Sequence, residues 1–338
     1  MSTQFFLLAE TATGAASIFA PASPPAESIR ALSILVLAIT LGIFFVVEGV
    51  LLYCLVQFRK QKSAKEGTEP AQVYGSKSIE IAWTVAPALV VFTLVLVTTR
   101  TLWEVEMPVP EPKLDDNTLF VTVVGRQWWW EYQYQNYNGQ SIGFVTANEL
   151  HVPASDVRTP RRVYLTLKSA DVCHSFWVPR LAGKTDLIPG RENSMWFQTD
   201  ELGLFVGQCA EYCGTQHGGM LLRVFVDEPA DFERWLEEQK RPAVSDSSVE
   251  EGRLAFLGQS CVNCHRVRGT PADGTYAPDL THLMSRTTLA SGLIENNEEN
   301  LRRWIADPQN VKEGCLMPAF GLSDRERDLI VDYLLSLR

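Results

Sequence analysis

Two long apolar runs within the first hundred residues constrain this chain more than any other feature. Residues Ala31 to Val56 carry one charge, Glu48, and residues Ile81 to Thr99 carry none. Each run is long enough to cross a hydrocarbon layer of roughly 30 Å as a helix. A core helix of a water-soluble domain can look similar, but two such runs this close together predict a transmembrane hairpin. Between them lie Arg59, Lys60, Lys62, Lys65 and Lys77. Positive loops stay in the cytoplasm, so both chain ends are expected outside. Pro87 predicts a kink in the second span, which lipid-embedded helices tolerate. The opening stretch, MSTQFFLLAETATGAASIFA, has no basic start and gives only weak support to a cleaved signal peptide.

From Asn117 to Glu228 the pattern changes to short β-rich runs broken by Gly, Pro, Asn and Asp. LFVTVVGRQWWWEYQY, VRTPRRVYLTLKSADV, SMWFQTDE and MLLRVFVDE are the clearest strands. They predict an all-β sandwich or Greek-key barrel. A linker rich in Pro and Ser follows, from Arg241 to Ser247. Beyond it, Ser248 with Glu251 and Ser323 with Glu326 have the spacing of capping boxes that open helices. Leu329, Ile330, Tyr333, Leu334 and Leu337 then recur at helical spacing, so the last helix buries one face. The expected divisions are residues 1–28, a hairpin over 29–102, a β domain over 110–230, a connection over 231–247 and a helical module over 248–338.

Within the β region, Cys209 to Met220 read CAEYCGTQHGGM, a C-x3-C-x3-H-x2-M spacing. Thiolate, imidazole and thioether together favour copper over hard cations. A mononuclear blue-copper site needs one thiolate and two imidazoles; here there are two thiols, and His174 lies upstream in DVCHSFWVP. Two Cys, two His and one Met suit two copper ions sharing bridging sulfurs. A Cys209–Cys213 disulfide is the plainer alternative, and it leaves the His and Met unexplained.

Cys261-Val262-Asn263-Cys264-His265 reads as a c-type haem attachment site. Both thiols bond the haem and the adjacent His reaches the iron from one face. Zinc is the alternative for such a pair, but no second pair follows at finger spacing. The other face of the iron needs a further ligand, and a thioether there raises the reduction potential. Met317, in CLMPAF before the last helix, fits better than Met284, whose Leu283-Met284 setting suits a buried position. Two one-electron centres on one chain imply that it moves electrons.

The formal net charge of −10 argues against a nucleic-acid partner and suits a docking face for a basic electron carrier. Of the seven Cys, Cys54, Cys173 and Cys315 stand outside the two pairs and show no pairing pattern.

GRQWWWEYQY, DVCHSFWVP, KTDLIPGR and GQCAEYCGTQHGGM, together with the haem motif, resemble subunit II of haem–copper cytochrome c oxidases in the version with a fused C-terminal cytochrome c, the caa type. The resemblance covers nearly the whole chain. It implies a two-helix membrane hairpin, an all-β cupredoxin domain and an all-α cytochrome c domain. It implies dinuclear copper A with bridging Cys209 and Cys213, imidazoles His174 and His217, and Met220 as the weak thioether. Glu211 would give its backbone carbonyl to copper and its carboxylate to a magnesium ion. Haem c would be held by Cys261, Cys264, His265 and Met317.

The resemblance further implies that electrons enter at Trp128, within the aromatic cluster Trp128-Trp129-Trp130. On one strand Trp128 and Trp130 would share a face, and a tethered cytochrome would take the place of an external donor there. Glu80, in SIEIAWTVAP, matches a carboxylate near the entrance of a proton pathway; equally, an acid near a helix N-terminus is stabilised by the helix dipole. Arg126, Trp129 and Cys173 depart from the usual pattern without removing a ligand.

The implied partners are oxidase subunit I with its companion subunits, membrane lipid, and a donor such as a soluble cytochrome c or a bc-type complex. The implied location is a bacterial inner membrane, with both termini and both cofactor domains on the outer side. Oxygen reduction would belong to subunit I. A free-standing membrane-anchored electron carrier is the nearest rival, and a copper-handling assembly protein a weaker one, since it needs no haem.

Overall fold

The computed structural model describes residues 16–59, 72, 74–106, 117–156, 158–244 and 246–338. Lys60, Lys62, Lys65 and the first part of the opening stretch lie outside the described residues.

Helices α1 (Pro24–Gln57) and α2 (Lys77–Val105) contain the two apolar runs. They are 34 and 29 residues long, enough to span a bilayer with turns to spare. Their apolar side chains, among them Phe45, Val56, Trp83 and Phe92, are exposed. A helix apolar on every side needs an apolar surround, here lipid. Several hydroxyls of the two helices are satisfied by back-bonding: Ser33, Thr40, Thr84, Thr93 and Thr99 each donate to the carbonyl four residues earlier. The helix runs through Pro87. The hairpin is a compact unit of its own.

The rest of the described chain forms a second unit with two parts. The first is a sandwich of two five-stranded sheets. One sheet has the order β3 (Gln140–Ala147), β2 (Trp129–Tyr137), β1 (Leu119–Arg126), β5 (Val163–Ser169), β8 (Asn193–Phe197). The other runs β4 (Glu149–Pro153), β10 (Leu221–Asp227), β9 (Gly203–Cys209), β6 (His174–Trp177), β7 (Thr185–Leu187). The pairs β1–β5 and β4–β10 are parallel and the other neighbours antiparallel. Trp130, Tyr132 and Tyr134 alternate along β2 and point into the core with Leu119, Leu165, Phe176, Phe197 and Phe205.

The stretch expected to be one long strand from Leu119 is two. The chain turns at Gln127-Trp128, and β1 and β2 pair as a hairpin with Arg126 opposite Trp129. Trp128 therefore sits at the turn and does not share a strand face with Trp130. Gly125 just before it permits this pairing beside a histidine: a Cβ there would stand 2.8 Å from Cδ2 of His174.

The second part is helical: α4 (Glu250–Gly258), α5 (Cys261–Cys264), α6 (Glu298–Ala306) and α7 (Asp324–Leu335). Its core joins Phe256, Leu301, Ile305, Ile330 and Leu334. Helices α4 and α7 cross at Gly252, where a Cβ would meet the Leu329 carbonyl at 2.1 Å. The Ser323–Glu326 capping box forms as expected. The Ser248–Glu251 box does not: Asp246 accepts from the Ser248 amide at 2.8 Å, and a 3-10 turn over Ser247–Val249 leads into α4.

The connection between the two parts contains a helix not foreseen, α3 (Pro229–Lys240), with Pro229 at its first turn. Phe232 is fully buried against the sandwich, and Trp235 stacks on His151. The segment that follows is tied down: Ala243 donates to the Arg268 carbonyl at 3.0 Å, and Arg268 donates to the Lys240 carbonyl at 3.2 Å.

Candidate metal and cofactor sites

Strand β9 ends at Cys209, strand β6 begins at His174, and the loop between β9 and β10 carries Glu211, Cys213, His217 and Met220. Sheet pairing sets Phe176 opposite Cys209, which brings His174 to the same end of the sandwich. The sulfurs of Cys209 and Cys213 lie 3.8 Å apart, and both thiols are free. His174 Nδ1 is 4.0 Å from the Cys209 sulfur, and His217 Nδ1 is 3.7 Å from the Cys213 sulfur. Met220 places its sulfur 3.9 Å from Cys213, and the Glu211 carbonyl accepts from Cys209 at 3.2 Å. The Glu211 side chain is exposed. Each thiol thus has its own imidazole, and the two thiols share one gap.

Hydrogen bonds outside the cluster aim the ligands. Asp171 holds Nε2 of His174 at 2.7 Å, leaving Nδ1 to face the sulfurs. Burial opposes charge on His174, but Asp171 and the Cys209 sulfur outweigh it and raise its pKa. The bond between the two thiols favours one thiolate strongly, holding Cys209 far below the ordinary thiol range and Cys213 above it. Two thiols in contact compete for one negative charge, and a shared cation removes that competition. The ring of Trp130 packs edge-on against His174, with centroids 6.0 Å apart.

The helical part encloses a cavity of about 1350 Å³, counted to its open mouth. Cys261, Cys264, His265 and Met317 all line it, with Phe256, Trp304, Pro278 and Leu316. Met284, the competing thioether, is not on its wall; it packs into the helical core and its amide donates to the Leu337 carbonyl at 2.8 Å. Nδ1 of His265 donates to the Pro278 carbonyl at 2.8 Å, which leaves Nε2 free for a metal. Burial lowers the pKa of His265, keeping the ring neutral as a ligand must be. Arg286 also lines the cavity and donates to the Asp279 carbonyl.

Trp128 joins the two sites. It is only 9% exposed, lines the haem-type cavity, and donates from Nε1 to the Cys213 carbonyl at 2.9 Å. Trp128, the expected entry residue, is thus covered by the tethered domain of its own chain. Trp129 lies on the same cavity wall and stacks under Arg126. Glu80 occupies the first turn of α2, a position that also suits the helix dipole.

Residues 119–226 match the family description of the cytochrome c oxidase subunit II periplasmic domain, residues 13–100 its transmembrane domain, and residues 249–338 cytochrome c. Cytochrome c oxidase subunit 2 of Alkalihalophilus pseudofirmus is 36% identical, over 94% of this chain and 90% of that one. The chain belongs to the cytochrome c oxidase subunit II family. Subunit 2 from Bacillus sp. (strain PS3) is 35% identical over 83% of this chain and 80% of its own length. That of Bacillus subtilis is 34% identical over 85% and 82%.

As a fused subunit II, the chain is a membrane-anchored component of a haem–copper oxidase. Its cupredoxin domain implies copper A and its cytochrome c domain implies haem c. Both donor sets fit those groups: soft ligands around one shared gap, and two thiols with an oriented imidazole on an apolar cavity. Sequence reading missed the supporting residues Asp171, Gly125 and Arg286. Only Asp171 left a signal, an acid three residues before His174.

Proposed function

We propose that this subunit receives electrons from an external donor at haem c, passes them to dinuclear copper A, and delivers them to subunit I. Oxygen reduction coupled to proton pumping takes place in that partner. The haem and the copper pair, when bound, each supply reversible one-electron chemistry.

The residues of this chain do the rest. Cys209, Cys213, His174, His217, Met220 and the Glu211 carbonyl would together hold the copper pair. Cys261 and Cys264 would hold the haem covalently, with His265 and Met317 as its candidate iron ligands. Arg286 offers a cation to the haem carboxylates. The exposed Glu211 carboxylate is free to hold a magnesium ion against subunit I. Glu80 opens a proton route at the inner end of the hairpin. The cofactor domains face the outer, periplasmic side, and the net charge of −10 suits a basic donor such as a soluble cytochrome c.

The observation that carries this reading is the hydrogen-bonded continuity from cavity to copper ligands. Trp128 lies on the cavity wall and hydrogen-bonds the carbonyl of Cys213. The free-standing carrier is the second reading, and it predicts no fixed partner. Rapid mixing of the detergent-purified complex with reduced soluble cytochrome c tests both. Stoichiometric subunit I, with haem c reduced before copper, supports the proposal. Unchanged copper reduction in a Cys261→Ser, Cys264→Ser variant overturns the haem route.

A further inference from the structure

Two buried charges cross between the cupredoxin and cytochrome domains in opposite directions. Glu149, at the start of β4 in the cupredoxin domain, is 2% exposed. Its carboxylate accepts from the Thr288 amide at 2.9 Å and from the hydroxyls of Thr287 and Thr288 at 2.7 Å each. The Thr287 amide adds a bond of 2.9 Å. Both threonines belong to the cytochrome domain, where Thr288 begins the short strand β11 (Thr288–Leu289).

Lys312 reaches the other way. It follows the 3-10 turn Pro308–Asn310 of the cytochrome domain and is 3% exposed. Its ammonium donates to the carbonyls of Trp128 at 2.7 Å and Gly219 at 2.8 Å, both in the cupredoxin domain, and to that of Ala290 at 3.0 Å. An ammonium has three N–H donors, and each has a carbonyl. Burial pushes Lys312 down to about 7, opposed by the nearby sulfurs of Cys315 and Cys213.

A buried charge is tolerated only where its hydrogen bonds are complete, and losing one partner leaves it stranded. Glu149 is held by backbone and hydroxyl donors of the cytochrome domain, with Arg223 of its own domain 3.7 Å away, and Lys312 by carbonyls at fixed positions. Sliding or tilting one domain on the other breaks both sets of boundary hydrogen bonds together. The Leu221 amide, which donates to the Ser291 carbonyl at 3.2 Å, lies between the two anchors. The placement is also functional: Gly219 immediately precedes Met220, and Lys312 and Trp128 share the cavity wall.

We propose that Lys312 and Glu149 are positioning residues that hold the cytochrome domain in one fixed pose on the cupredoxin domain. Trp128 is then permanently covered, and an external donor is left the haem alone. The inference rests on electron flow from the cytochrome domain to the copper domain. That step moves one electron from reduced haem to oxidised copper and makes or breaks no bond.

The test uses the complete, cofactor-loaded complex. Haem c is reduced by a photochemical one-electron donor, and haem-to-copper transfer is timed at several solvent viscosities. Amide exchange of Thr288 and Leu221 is recorded alongside. Wild-type transfer is expected to be single-phase and insensitive to viscosity. Lys312→Met should slow it by about tenfold or more, the consequence of stranding three carbonyls at a closed boundary. It should also make the rate viscosity-dependent and speed both amides, with haem and copper spectra unchanged. Glu149→Gln should do the same from the opposite side, so misfolding of one variant does not decide the matter. Arg325→Ala, which removes an exposed ion pair with Glu251, should change nothing. Wild-type rates and protection in both Lys312→Met and Glu149→Gln overturn the proposal. Faster exchange in the variants, with no haem-to-copper transfer even in the wild type, upholds the anchors and overturns the electron route instead.

Discussion

Cys209, Cys213 and His217 come from nine consecutive residues, whereas Met317 lies 52 residues beyond His265. At the copper site, strand ends and a tight loop bring the ligand atoms of His174, Cys209 and Cys213 within 4.8 Å of one another. The haem site is instead a large apolar cavity whose walls come from helices, loops and the edge of the neighbouring domain. A site made of strand ends has its geometry fixed by the sheet core. A site made around a cavity depends on what fills it, because an emptied apolar space forfeits the contacts of its lining. The copper ligands are thus preorganised by the fold, whereas the haem cavity would depend on its occupant.

The contrast breaks most visibly at the haem. Cys261→Ser with Cys264→Ser should abolish covalent haem, shown by peroxidase staining of denatured chains. It should also remove the cooperative calorimetric unfolding of the cytochrome domain while the cupredoxin transition persists. A cytochrome domain equally stable without haem would erase the distinction.

At the copper site the same kind of change should be milder in structure. Cys209→Ser is expected to eliminate the two-copper signal yet keep the β-sheet circular dichroism, since the sulfurs sit at the end of a sandwich held by Trp130, Tyr132 and Phe176. Loss of the sheet signal would show that the ion, not the core, organises that end.

Asp171→Asn probes the support behind one ligand. Its carboxylate orients His174 at 2.7 Å, and such outer partners are worth about 10–100-fold in metal affinity. Competition with a copper chelator measures this, and an unchanged affinity would mean that Gly125 and Trp130 alone fix the ring. Smallest is Ser323→Ala, which removes the cap of α7. It should cost about 1 kcal/mol in urea unfolding, confined to the cytochrome domain.

The same contrast explains how much of the fold and the sites is legible in the sequence. Contiguous motifs were legible: the CAEYCGTQHGGM loop, the haem pair with its His, and the Ser323–Glu326 box. The two apolar helices were legible because lipid imposes a compositional rule on every side of them. The β1–β2 turn was not, since Gln127-Trp128 lies inside an unbroken aromatic run without the usual turn residues. Helix α3 was hidden because its polar composition, PADFERWLEEQK, gave only Phe232, Trp235 and Leu236 to bury. Least legible were Lys312 and Glu149, whose partners are mostly backbone atoms, with two threonine hydroxyls, of distant segments. Backbone carbonyls and amides carry no residue-type signal, so tertiary structure alone reveals what they hold.

The paired-thiol centre is the claim on which the rest depends. Its most direct test is the electron paramagnetic resonance spectrum of the copper-loaded complex, taken with copper and haem c counts per chain. The account predicts two coppers and one haem c, with hyperfine structure from a single electron shared by two copper nuclei. A single-nucleus pattern from fully loaded protein would contradict it.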